Sequence, residues 1–530
     1  MANPKRIGKV SESPTIPSNR KATVKFDVRD LYEGVIQEKQ TQTSQNLSYD
    51  EKLRQAYFWI TNYAIISPYY DIEYNSGPKQ SYTIGDLKSE ISLPSGQSYS
   101  SFVLLPLLNL IVRRRCLLIG GPGRGKTASA FLMGILAGYK PREIKRAIQH
   151  GQPQMTISDL LGNPLPSDLM HATSMDSIKI AWRKWLQMRV KIIDEYNRIP
   201  TRTQSALLTV LADNYAEILD QIYECPEAAW YLTANDDAGG GTYQVIEALR
   251  DRIDIVVKAL HFNTRFIKDL LFRIESGLKP EQMVPPEIIF TEKEIDQMNH
   301  EIMEIEIPPE LMKRIEFFAS HFEFQEYGGE QIEYKTKDSI KISGLDYNLL
   351  QANESGKDKL KDIGDQTLNG LSVRALMTAL VFVKAMAYFR GKDKVDFDDI
   401  HNILPFTLHD KLVQNSNSPF FEKSNHIIYR VDKVSWIRKL FEMSCSEYDR
   451  LGLDKDDPVE TMEREFAKGL DGLNVKEVDK RLTNIEKTLK SWSKGRKLYG
   501  HLFDDILKLK YLHQRYSNYK SWLLANNKTL

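Results

Sequence analysis

The sequence predicts an α/β core in which helices sandwich a parallel sheet, followed by an all-α domain and a helical C-terminal extension. From Arg114 onward, short apolar runs bounded by Gly, Pro or acidic residues alternate with helical stretches, the pattern of parallel strands covered on both faces. After His261 the apolar residues recur almost wholly at helical spacing. At the junction of one apolar run and the helical stretch after it lies a loop of the form G-x-x-x-x-G-K-[ST], Gly120 to Thr127.

Bulk properties narrow the class. A chain of 530 residues exceeds one compact core, so two or three domains are expected. Hydrophobic residues at 42% and charged residues at 27% match an ordinary folded protein and exclude disordered or collagen-like composition. A net charge of +1 gives no general attraction to nucleic acid or membrane. The 3 cysteines, Cys116, Cys225 and Cys445, are widely spaced and odd in number, which excludes a disulfide scaffold and indicates a reducing compartment. No H-x-x-x-H or C-x-x-C spacing points to zinc. The stretch Met1 to Arg20 has no apolar h-region, and Phe102 to Val112 is about half the ~20 residues that cross a bilayer. A cytoplasmic protein with no membrane association is therefore expected.

Along the chain, residues 1–50 are polar and read as a mobile N-terminal arm. Leu53, Tyr57, Ile60 and Tyr63 predict a lead-in helix from Tyr49 to Ile66. Cys116–Ile119, Val190–Ile193 and Trp230–Thr233 predict strands, and Thr127–Ala137 and Thr203–Leu211 predict helices between them. Phe266–Glu275, Glu292–Met303, Pro308–His321 and Leu371–Phe389 predict the helices of the second domain. Gln325 to Gly370, with alternating residues such as Gln331-Ile332-Glu333-Tyr334, reads as an inserted hairpin or loop. From Leu473 the tail is basic and aromatic. Val475, Val478, Leu482, Ile485, Leu489 and Trp492 form a short coiled-coil-like seam, which suits packing on the chain's own domain or on a neighbouring subunit better than docking a dedicated partner.

The chemistry-bearing residues follow this order. Gly120, Gly121, Pro122, Gly123, Arg124 and Gly125 let backbone N–H groups face inward, and the helix from Lys126, Thr127 and Ala128 offers its positive N-terminus to phosphates. Lys126 suits the β- and γ-phosphates of ATP, and the Thr127 hydroxyl suits Mg²⁺. The strand Val190–Ile193 ends in Asp194, a second Mg²⁺ candidate, and Glu195, a candidate to polarise the attacking water. Asn235, ending the next apolar strand, could orient that water; its structural alternative is a turn residue.

These segments resemble the MoxR family of AAA+ ATPases. Asp194-Glu195-Tyr196-Asn197-Arg198 matches its D-E-x-N-R, and Ser158-Asp159-Leu160-Leu161-Gly162 is similar to its P-S-D-x-x-G. Gln204-Ser205-Ala206-Leu207-Leu208 matches T-Q-x-A-L-L, and Gly241-Thr242-Tyr243 with Glu247-Ala248-Leu249-Arg250-Asp251-Arg252 resembles G-T-Y…E-A-x-x-D-R-F. Gly370-Leu371-Ser372-Val373-Arg374-Ala375 resembles G-x-S-x-R-A. The chain departs from the family at Ile253, in place of Phe, in the Gly239–Gly241 turn and in the long segment 325–370.

The resemblance, over about Arg114 to Leu412, implies a P-loop AAA+ nucleotide-binding domain, read with its helical lead-in as residues 51–262, and a helical lid domain over 263–412; the basic extension over 413–530 matches nothing in that family. The resemblance implies a hexameric homo-oligomer with ATP between subunits, Arg252 as a finger acting on the neighbour, Arg250 as a second cation beside it, and Arg374 as the sensor 2 arginine. It also implies remodelling of a client protein together with a separate von Willebrand factor A domain protein, since D-x-S-x-S is absent here. The second-ranked expectation is a nucleic-acid-linked motor or defence component, with Lys494, Arg496 and Lys497 in the basic tail as the contact.

Overall fold

A computed structural model describes residues 48–86, 88–171, 178–235, 247–277, 279–323, 336–344, 363–454, 457–493 and 500–526. The expected N-terminal arm up to residue 47, the Gly239–Gly241 turn, Gln331–Tyr334 and Lys494, Arg496 and Lys497 lie outside them. Helix α1, Tyr49–Trp59, continues as a π-helical turn, Ile60–Ala64, and is the expected lead-in.

Five strands form the central sheet: β1, Arg115–Ile119; β2, Ile148–His150; β3, Val190–Asp194; β4, Ala229–Ala234; and β5, Ile255–Lys258. They lie in the order β5-β1-β4-β3-β2, and every pairing is parallel. The three long strands are those their apolar runs predict. The outer two, of 3 and 4 residues, escape such a reading because neither is long enough to stand out from its surroundings.

Both faces of the sheet are covered, and successive residues serve opposite sides. Cys116, Leu118, Ile192, Tyr231 and Val257 join the core that contains helices α2, Ser101–Val112, and α3, Lys126–Leu136. Leu117, Ile193, Trp230, Leu232 and Val256 join a second core with helix α4, Thr201–Asp213. Pro106 inside α2 is accommodated within this packing, and its carbonyl accepts from Tyr231 Oη at 2.8 Å. Helix α5, Glu247–Arg252, leads into β5.

The chain then becomes helical, as predicted: α6, Glu292–Glu304; α7, Pro309–Glu323; α8, Val373–Phe389; α9, Phe397–Leu408; and α10, Lys433–Leu451. Phe382, Met386, Ile403 and Leu440 from these helices belong to the same apolar core as α2, so sheet and helical domain share one continuous interior. Where the 325–370 segment is described it is helical over Lys337–Ile342, which corrects the expected hairpin there. Thr336 caps that helix, its side chain accepting from Ser339 N.

The extension comprises α11, Pro458–Ala467; α12, Val475–Trp492; and α13, Gly500–Asn526. Val478, Leu482 and Ile485 of the predicted seam are buried against Leu509, Leu512 and Tyr516 of α13, so the seam packs on its own chain. The unit docks on α7, where Lys313 pairs with Glu460 at 2.7 Å and Phe317 meets the His501 ring at 5.5 Å between centroids. Among the described residues, no helix is long and apolar enough to cross a membrane.

Candidate functional site

Parallel pairing brings the C-terminal ends of β1, β3 and β4 to one edge of the sheet, and the loop after β1 opens there. Gly120 makes the turn possible. Its φ is 156°, and a Cβ would stand 2.6 Å from the Ala259 carbonyl oxygen. Arg124 lies back over the loop, with Nη1 donating to Ala259 O at 3.2 Å. Gly125, also left-handed, ends the loop and α3 begins at Lys126, which points its first-turn N–H groups toward the loop.

Lys126 Nζ is buried at the centre, donating to Gly121 O at 2.8 Å, to Gly120 O and to Asn235 Oδ1 at 2.9 Å. One residue on, Thr127 Oγ1 donates to Asp194 Oδ1 at 2.7 Å. Thr233 Oγ1 donates to the same oxygen at 2.6 Å, and His150 Nδ1 lies 3.3 Å from Oδ2. Hydroxyl and carboxylate oxygens are hard donors, so Thr127 and Asp194 form a pair that fits Mg²⁺.

Glu195 sits just past β3 with φ 54°, a left-handed conformation uncommon for a residue with a side chain. Its N–H donates to Thr233 Oγ1 at 2.9 Å. The carboxylate accepts from Asn235 Nδ2 at 3.2 Å and lies 3.1 Å from Arg198 Nη1. Gly151 closes the back of this bend: its N–H donates to Asp194 O at 2.7 Å, and a Cβ would fall 2.2 Å from the Glu195 carbonyl oxygen. The structure thus brings together the loop from Gly120 to Thr127, Asp194, Glu195 and Asn235.

Beside the loop opens a cavity of about 330 Å³, lined by Ile65, Tyr69, Ala128, Leu132, His261 and Phe262 among others. Apolar walls with Tyr69 Oη and His261 Nε2 3.1 Å apart suit a planar heterocycle such as a nucleobase. Sequence reasoning missed this wall, and it missed His150, Gly151, Thr233 and the Arg198 contact. Thr233, a polar residue near the end of an apolar strand, was the one available signal. Lys191 on β3 is fully buried, donating to Met188 O at 2.7 Å, and burial pushes its ammonium down to about 8.

The remaining predicted cations stand elsewhere. Ile255 pairs with Cys116 and Lys258 with Ile119, so α5 enters β5 where β1 begins, whereas the phosphate loop leaves the far end of β1. At ~3.3 Å per strand residue, that separates Arg252 from its own loop by more than about 10 Å. Arg252 is half-buried, and its Nε is buried without a hydrogen-bond partner among the described residues. Arg374 Nη1 pairs with Asp251 Oδ2 at 2.9 Å, so it stands with Arg252 at the strand-entry end. The Arg250 side chain lies outside the described residues.

Two family models agree with this architecture. Residues 115–255 match the family described as "ATPase family associated with various cellular activities (AAA)", and residues 364–430 match a AAA lid domain. "Chaperone MoxR1" of Mycobacterium tuberculosis is 24% identical over 242 residues, which are 45% of this chain and 54% of that protein. The chain thus spans about half the length of this curated relative. A solved structure from Cytophaga hutchinsonii, provisionally described as an ATPase, shares 20% identity with a TM-score of 0.44, covering 62% of this chain and 88% of that one. The β5-β1-β4-β3-β2 sheet, the loop at its edge and the helical lid that follows accord with a AAA ATPase core and lid, and over about half its length the chain is similar to a MoxR-type chaperone.

Proposed function

We propose that the chain hydrolyses ATP in a ring of identical subunits, a hexamer by family resemblance, and uses the motion to remodel a client protein with a separate von Willebrand factor A domain partner. What supports this reading is that the phosphate-loop residues and the Arg252–Arg374 cations lie at opposite ends of one sheet. At the loop end, backbone N–H groups and Lys126 would hold the phosphates, Glu195 would take up the attacking water, and Asn235 would fix the Glu195 carboxylate. Mg²⁺, held by Thr127 and Asp194, would neutralise charge on the β- and γ-phosphates. At the strand-entry end, Arg252 and Arg374 are too far from their own loop, and a neighbouring copy would present them to its nucleotide.

Mixing two inactive variants tests this. Arg252→Ala and Lys126→Ala subunits should each fail to turn over ATP alone, and together should regain a measurable fraction of activity. No recovery in rings shown to contain both would remove trans action. The second-ranked reading, a nucleic-acid motor, predicts oligonucleotide binding with a steep salt slope; the near-neutral overall charge does not favour it.

A further inference from the structure

Arg252 is held by the lid of its own chain. Lys411, just past the end of α9, donates from one ammonium to the carbonyl of Asp251 at 3.0 Å and to that of Ile253, the carbonyls on either side of Arg252. Thr378 on α8 donates to Asp254 Oδ1 at 2.6 Å in a buried contact, and Arg374 on the same helix reaches Asp251. From the other side, Arg115 at the start of β1 donates its backbone N–H and Nη1 to Asp254 Oδ2, at 2.9 and 3.2 Å. The segment from Asp251 to Asp254 is thus gripped between the lid and the strand that leads to the phosphate loop.

We propose that Lys411 is a positioning residue for Arg252, and that the lid of one subunit thereby sets how well the next subunit hydrolyses ATP. The proposal rests on the reading of Arg252 as a cation acting on a neighbour. Backbone carbonyls carry no charge that could hold a nucleotide, so the two Lys411 contacts serve geometry. An ammonium with three donors suits two carbonyls that a single bend brings close. Any displacement of α9 moves both carbonyls together and with them the root of the Arg252 side chain. A shift of about 1 Å at a transition-state contact is enough to cost on the order of a hundredfold in rate.

A double-mutant cycle on the full chain tests the link. Lys411→Met should lower kcat by about tenfold or more while the ATP affinity, measured by calorimetry, stays unchanged. Lys411→Arg, which can still donate to both carbonyls, should restore most of it. Arg252→Ala combined with Lys411→Met should be no slower than Arg252→Ala alone, because both act through one group. Additive losses, or an unchanged kcat in Lys411→Met while Arg252→Ala is slow, overturn the proposal. Normal turnover in Arg252→Ala instead overturns the reading of the finger itself. If Lys411→Met does not fold, Thr378→Val carries the same cycle, with the same non-additivity expected and additivity again overturning the link.

Discussion

Thr127 Oγ1 donates to Asp194 Oδ1 at 2.7 Å, tying the first turn of α3 to the end of β3 across 67 positions of sequence. Because Thr233 donates to the same oxygen, Asp194 is the hub of the proposed metal side of the site. Asp194→Ala should lower ATP turnover by about a hundredfold or more and abolish its response to added Mg²⁺. Turnover that still rises with Mg²⁺ in this variant would exclude Asp194 as a ligand.

Lys126 faces the loop carbonyls and Asn235, which concentrates positive charge where phosphates would lie. Lys126→Ala should lose most ATP affinity in calorimetry. An unchanged affinity would count against the loop.

Glu195 is held by Asn235 and Arg198 and sits in a left-handed bend. Glu195→Gln keeps the shape and removes the proposed base. It should bind ATP normally and hydrolyse it at least about a hundredfold more slowly in a phosphate-release assay.

The Tyr231 hydroxyl is buried and satisfied by the Pro106 carbonyl, which clips α2 to the central strand β4. Tyr231→Phe removes the clip while the Pro106 carbonyl keeps its place in the helix, and should destabilise the fold by about 0.5–1.5 kcal/mol in urea unfolding. An unchanged midpoint would show that the clip contributes nothing.

His321 on α7 is half-buried at the contact with the extension, its ring Nε2 enclosed, and desolvation lowers its pKa to about 4. The unfolded chain takes up this proton near 6.5, so between 6.5 and 4 it binds more protons than the folded one, and stability falls as pH falls through that window. At about 1.4 kcal/mol per pH unit the loss is roughly 3 kcal/mol. His321→Phe should show a shallower decline of its unfolding midpoint across the same window.

Much of the site was legible because its chemistry is local. Gly120 to Thr127 needs particular residues at fixed spacing, and Asp194-Glu195 ends a conspicuous apolar run. What escaped is adjacency across the sheet. His150 reaches Asp194 from a 3-residue strand that no periodicity marks, and Arg374 finds Asp251 over 123 positions. The cavity wall at Ile65 and Tyr69 belongs to a lead-in that the sequence presents only as a helix and its end. Such contacts are set by how elements stack, which neither propensity nor spacing encodes.

Helix α13 has 27 residues, a rod of roughly 40 Å, and it touches the lid near one end, where His501 meets Phe317. Its length amplifies any rotation at that contact: a tilt of about ten degrees there would carry its far end through about 7 Å.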